Sequence, residues 1–227
     1  MIVGNDQKVQ LDAERNTAMH GPGHDTLSIL NLADPAAPKI VATIPLDNTI
    51  IGPPVNLAIA PSRDIALVAN SMNVIKKGDK YAPVPDDRLF VVDLTAQPPK
   101  VIDTLHIGKQ PSGMAIAPDG KLALVANRAD GTLTVLSIAG KTVKQIGTVT
   151  VGKPSDLVSA VAITPDGKRA LAAKAGGNAV ALLTIDGDKV TYTKRDLPTG
   201  IFPYNVVISP DGKIALTALS DSVREMV

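Results

Sequence analysis

The chain has 227 residues, 44% of them hydrophobic, which is enough for one large domain or two small ones with a proper core. Its 23 basic and 22 acidic side chains leave a formal charge of +1, so no long-range field draws in nucleic acid or an anionic membrane. Aromatics make up 2% with no tryptophan, which argues against stacking platforms for bases or sugars, and the lack of cysteine removes disulfides, thiolate metal sites, cysteine nucleophiles and covalently attached haem.

From the start, Met1-Ile2-Val3-Gly4-Asn5-Asp6 lacks a basic stretch followed by an apolar one, and no apolar run approaches the roughly 20 residues that cross a bilayer. Neither a leader nor membrane insertion is expected. Residues 1–24 read as an irregular segment. Within it His20-Gly21-Pro22-Gly23-His24 is a metal candidate by residue type, since imidazole suits Zn, Cu and Ni. The glycines and proline deny the pair a helical geometry and no third ligand is evident, so no metal and no other cofactor is expected. Asp25–Leu32 and Pro38–Leu46 then read as two strands.

Four later segments align without gaps: Asn56–Asn70, Gly113–Asn127, Ala160–Lys174 and Asn205–Leu219. Their shared prolines, Pro61, Pro118, Pro165 and Pro210, stand 57, 47 and 45 residues apart, a period that fits propeller blades. Each segment reads as β run, turn, β run. In Pro118-Asp119-Gly120 the proline presets φ, the aspartate bonds its own backbone and the glycine accepts a left-handed conformation. The triplet recurs at Pro165-Asp166-Gly167 and Pro210-Asp211-Gly212, while the first segment has Pro61-Ser62-Arg63-Asp64. These recurring aspartates are explained by turn chemistry and are not a metal or catalytic series.

Two more strands follow each hairpin, as in Thr132–Ile138 and Val143–Val151, or Val180–Ile185 and Lys189–Thr193, with Gly-containing turns between them. That makes four antiparallel strands, A to D, per repeat, in units of about 25–50, 51–108, 109–152, 153–200 and 201–227. Helical periodicity is absent, and the runs of Val, Ile and Ala suit sheets buried on both faces. The expected fold is all-β.

The Pro-Asp-Gly-Lys hairpins, with Leu67-Val68-Ala69-Asn70 and Leu124-Val125-Ala126-Asn127 after them, resemble the YVTN-type β-propeller repeat family and, with it, lactonase-type and surface-layer propellers. The resemblance covers about Asp25 to Leu219. Ala172-Ala173-Lys174 and Thr217-Ala218-Leu219 depart from the tetrapeptide, so a role for its asparagine is not shared by all blades. WD40 and kelch propellers are disfavoured, since Trp and the Gly-His signature are missing. The resemblance implies export to the periplasm or beyond, and a propeller with more repeats.

Three complete blades are flanked by two halves: strands C and D before the first hairpin, strands A and B at the end. Two readings stay open, a four-bladed ring in which the halves combine, or a truncated larger propeller, which is favoured. Open sheet edges imply self-association.

Function is expected on the face that carries the B–C and D–A loops. The longest such loop, Ser71–Asp87, carries Lys76, Lys77, Lys80 and Tyr81, a contact patch for a partner or acidic ligand as well as a tolerated insertion. On the same face lie Asn127 and Arg128 at the end of a B strand, and Phe202, Tyr204 and Asn205 at the start of an A strand, where the equivalent positions include Asn56, Ser112 and Ser159. A Gly-x-Ser-x-Gly elbow and phosphate-loop patterns do not occur, so no catalytic residue is assigned. The residues point to a non-enzymatic module binding a protein or small ligand. The rivals are a lactonase-like hydrolase, implied by the resemblance, and a fragment without independent activity.

Overall fold

The structure, a computed structural model, describes residues 1–11, 17–49 and 55–220; the expected end of the repeat at residues 221–227 lies outside them. The chain opens with β1 (Ile2–Asn5), β2 (Val9–Leu11), β3 (Thr17–Met19), β4 (Thr26–Asn31) and β5 (Lys39–Pro45). Next come β6 (Leu57–Ile59), β7 (Ile65–Ala69), β8 (Met72–Lys77), β9 (Lys80–Pro85), β10 (Arg88–Asp93) and β11 (Lys100–His106). The third unit is β12 (Pro111–Ile116), β13 (Leu122–Asn127), β14 (Thr132–Ala139) and β15 (Thr142–Thr150). A 3-10 turn at Pro154–Asp156 leads to β16 (Val158–Ile163), β17 (Arg169–Lys174), β18 (Ala179–Asp186), β19 (Lys189–Pro198), β20 (Pro203–Ile208) and β21 (Ala215–Leu219).

Three four-stranded antiparallel sheets form in simple up-and-down order: β6-β7-β10-β11, β12-β13-β14-β15 and β16-β17-β18-β19. They are the complete blades expected from the repeat. Each stacks on the next, so the core is divided into layers between sheets rather than gathered at one centre. Leu27, Leu46, Val68 and Phe90 fill the first layer. Leu67, Leu89, Val125 and Leu136 fill the second, and Leu124, Leu133, Ala172 and Leu183 the third. Every residue of β7 and β13 is buried because these B strands have sheet partners on both edges and a blade on both faces.

The Pro-Asp-Gly triplet acts between blades as well as within them. Gly120, Gly167 and Gly212 all have positive φ, and each faces the turn proline of the preceding blade, Pro61, Pro118 and Pro165 respectively. An added Cβ at Gly212 would stand 3.3 Å from Pro165 Cδ. The aspartates close their own turns: Asp119, Asp166 and Asp211 each accept from the backbone N–H two residues on.

Residues 1–24, expected to be irregular, carry strands, and β1 corrects the expectation that the first unit lacks both A and B. It pairs with β4 in the order β1-β4-β5, which is the place of strand B. The pairing escapes the pattern because it spans about 20 residues with no hairpin turn. A buried polar anchor holds this segment: Lys8 Nζ contacts Asp25 and the Asn48 carbonyl and lies 3.4 Å from Asp6, with all three charged side chains enclosed. Both terminal units therefore contribute a B strand, β1 and β21.

Among the described residues the last unit is the hairpin β20–β21. Leu216 is 65% exposed and Ile214 59%, whereas the equivalent Leu67, Leu124 and Ile65 are fully buried.

Candidate functional site

A strands crowd one another at the inner edge of the array. An added Cβ at Gly113 on β12 would come within 2.5 Å of Ala160 Cα on β16, so the repeat has small residues here by necessity. Small polar side chains at the A-strand starts staple neighbouring elements together. Ser112 Oγ lies 3.2 Å from Ser71 Oγ and donates to Gln110 O, Ser159 Oγ donates to Pro203 O at 3.3 Å, and Asn56 Nδ2 donates to Ala69 O at 2.7 Å. All four are buried, so these hydroxyls and this amide do not face a ligand. Below them the A strands expose an apolar groove of ≈ 330 Å³, lined by Val55, Met114, Ile116, Val161, Ile163 and Asn205 among others.

At the same end of the strands a charged group stands unmatched. The Arg128 N–H donates to the Gln110 carbonyl, which fixes the residue beside the start of β12. Its Nε is buried and without a hydrogen-bond partner, and its guanidinium makes no ion pair among the described residues. Burial lowers its proton affinity, and the only opposing influence is the nearby Tyr204 hydroxyl. Tyr204 is itself pushed up by burial, with a smaller opposite effect from Arg128. Phe202 stacks on Tyr204 with ring centroids 6.1 Å apart, and holds a positive φ of 54°. Asn178 Oδ1 accepts the Phe202 N–H at 2.9 Å, so the B–C loop of the fourth blade supports the aromatic pair. The half-buried guanidinium presents a planar fork of donors suited to a carboxylate or phosphate.

Of the residues picked out in the sequence, Arg128, Tyr204 and Phe202 are thus brought together on the loop face, while Asn205 lines the groove and its Oδ1 accepts the Val206 N–H. Asn127 is fully buried, its amide donating to Thr132 Oγ1 and Thr134 Oγ1 at 2.9 Å each, and serves the blade instead. The Ser71–Asp87 loop is a hairpin, β8 paired with β9. Lys76, Lys77 and Lys80 are exposed at its tip, and no contact joins them to the Arg128 group. Tyr81 instead packs against Gly21, where an added Cβ would meet its hydroxyl at 2.9 Å, so two B–C insertions, β2–β3 and β8–β9, lean together. Asp86 and Arg88, which are not among the candidates drawn from the sequence, sit at the foot of this hairpin with Asp47 and Asn70. Arg88 reaches Asp86 at 2.5 Å and Asp47 at 2.8 Å, and Asn70 donates to Asp86 at 2.6 Å. The signal was there, an Asp-x-Arg directly after a loop.

His20 and His24 are both exposed, and among the described residues no group of three His, Cys, Asp or Glu side chains is placed to hold a metal ion. A larger cleft of ≈ 670 Å³ lies on the opposite face between the turns of the third and fourth blades, lined by Asp119, Asp166, Lys168 and Asp186. Asp166 there is already taken up by Thr164 Oγ1 at 2.6 Å and the Lys168 N–H, which marks the cleft as a gap between turns.

No protein-family model matches the sequence, and no curated protein matches it. Solved structures do. A Kuenenia stuttgartiensis hydrazine synthase chain is 27% identical with a TM-score of 0.59, over 77% of this chain and 44% of that one. A functionally unknown protein from Desulfotomaculum acetoxidans is 18% identical with a TM-score of 0.68, over 94% of this chain and 62% of that one. The periplasmic gluconolactonase of Pseudomonas aeruginosa is 13% identical with a TM-score of 0.65, over 94% of this chain and 63% of its own. The fold is a β-propeller. Each comparison leaves more than a third of the other chain uncovered. No helix among the described residues is long and apolar enough to cross a membrane.

Proposed function

We propose that the protein is a lactonase-like propeller that takes a small anionic ligand, of the sugar-acid or lactone class, beside Arg128 and Tyr204. The observation that carries the proposal is the buried Arg128 Nε without a partner. A buried N–H without an acceptor is costly, and an oxygen of an anion arriving from solvent relieves that cost. The Phe202–Tyr204 pair supplies an apolar wall, and the groove beyond Asn205 supplies room. The lactonase half rests on the YVTN-type and lactonase-type resemblance and on the fold shared with the Pseudomonas gluconolactonase. A periplasmic location is proposed on the same two grounds. In such a reaction water adds to the lactone carbonyl, the ring C–O bond breaks and a proton from that water passes to the released alkoxide; Arg128 would hold the carboxylate of the ring-opened product.

A second reading, binding without chemistry, is favoured by one observation. Asn56, Ser112 and Ser159, the polar residues of the A-strand starts, are consumed in stapling the blades. One experiment separates the two: calorimetric titration with gluconate, and pH-stat hydrolysis of glucono-1,5-lactone, on the protein and Arg128→Gln. Binding and hydrolysis both lost in the variant support the lactonase. Binding alone, lost in the variant, supports the second reading, and absence of both overturns the proposal.

A further inference from the structure

The connection from strand B to strand C is short in the third and fourth blades, residues 128–131 and 175–178, whereas in the second blade residues 70–87 build the hairpin β8–β9. Alternation along its paired strands gives that hairpin two unlike faces. Met72, Val74, Lys76 and Tyr81 share one of them, through the pairs Met72↔Pro85, Val74↔Pro83 and Lys76↔Tyr81. Met72 and Val74 are buried and Tyr81 packs against Gly21 of the neighbouring insertion, so this face braces the hairpin. At the foot the Asp86 N–H donates to Ser71 O, and Arg88 ties Asp86 to Asp47.

The other face is open. Ile75 pairs with Ala82 and Lys77 with Lys80, which sets an apolar pair and a basic pair side by side at the end of the hairpin. Ile75 is 51% exposed, and both lysines are exposed with no ion pair among the described residues. Asp79 is the one acid in the tip between Lys76 and Lys80. We infer that this outer face of β8–β9 docks an acidic segment of a partner protein, with carboxylates on Lys77 and Lys80 and an aliphatic side chain on Ile75 and Ala82.

Charge complementarity selects the sign of the partner, and the apolar pair beside the lysines selects a segment that is not acidic throughout. The brace on the inner face holds the hairpin ordered, so docking does not carry the entropic cost of ordering a loop. An anionic membrane fits less well, because recruitment to headgroups takes clusters of about four to eight basic residues. The aromatic nearest the tip, Tyr81, is also turned to the braced face. Docking here makes no use of Arg128 and is independent of the proposed anion site.

The probe is a fluorescein-labelled polyglutamate peptide with a central leucine, compared by anisotropy with the same peptide carrying serine at the centre. The protein is expected to bind the leucine peptide more tightly. Lys77→Glu with Lys80→Glu should weaken both peptides by about tenfold or more, since two attractions become repulsions. Ile75→Ser should weaken the leucine peptide by about fivefold and leave the serine peptide unchanged. Lys76→Glu makes the same charge change on the braced face and should cost less than Lys77→Glu. All four side chains are exposed, and thermal melts should show the variants as stable as the parent. Equal losses from Lys76→Glu and Lys77→Glu, or a leucine peptide indifferent to Ile75→Ser, would reduce the patch to unspecific charge and overturn the inference. So would co-sedimentation with phosphatidylserine vesicles that the double variant abolishes, which reassigns the face to a membrane.

Discussion

Lys174 Nζ lies 2.8 Å from Asp196 Oδ2 and 3.2 Å from Asp156 Oδ2, at the position where the second and third blades place Asn70 and Asn127. The substitution is consistent with its surroundings. Asn127 is held by Thr132 and Thr134, whereas the corresponding partners of β17 are Ala179 and Ala181. An asparagine at 174 would find no hydroxyl, and a lysine finds two carboxylates. Lys174→Met should therefore destabilise the fold by about 2 kcal/mol, the full cost of breaking a buried pair being moderated by the one-third exposure of Asp196. Lys174→Asn should not restore it, and denaturant melts of both variants provide the check.

Acid should act on two clusters. Burial alone would raise Asp86, but hydrogen bonds from Arg88, the Asp87 N–H and Asn70 hold it below the usual carboxylate range. Burial likewise opposes, and Lys174 with Tyr192 outweighs it, at Asp196. Carboxyls depressed in the folded state stabilise it above their unfolded value of about 3.9 and lose that contribution as pH falls through the lower folded values. The melting temperature should hold between neutrality and about pH 5 and fall below about pH 4. Arg88→Met should flatten that fall, as thermal melts across the acid range will reveal.

Gly131 and Gly140 both have positive φ, at 68° and 58°, but differ in surroundings. Nothing lies within 4 Å of an added Cβ at Gly140, while at Gly131 it would meet Lys153 O at 2.6 Å and Gly152 O at 2.8 Å. Gly140→Ala should cost about 1 kcal/mol from backbone strain, and Gly131→Ala at least about twice that, since backbone must move as well. Chemical denaturation of the two variants compares them directly.

Arg128→Met should leave the ligand-free protein about as stable as the parent, because it removes a buried N–H that has no acceptor. The same change should abolish binding of gluconate. A loss of stability in thermal melts would instead mark Arg128 as a structural residue.

The repeat and its hairpins are legible from the sequence because proline, aspartate and glycine set turns over three residues and alternation sets strands over six, all within reach of local chemistry. Three complete sheets, their strand order and the burial of the B strands follow from that alone. Tertiary structure decided the rest. The pairing of β1 with β4 crosses a segment with no turn signal, and the engagement of Ser112, Ser159 and Asn127 depends on neighbours from other strands. The isolation of Arg128 is likewise invisible in a sequence of balanced charge, for desolvation and pairing are set by which groups from distant strands and blades come together in space.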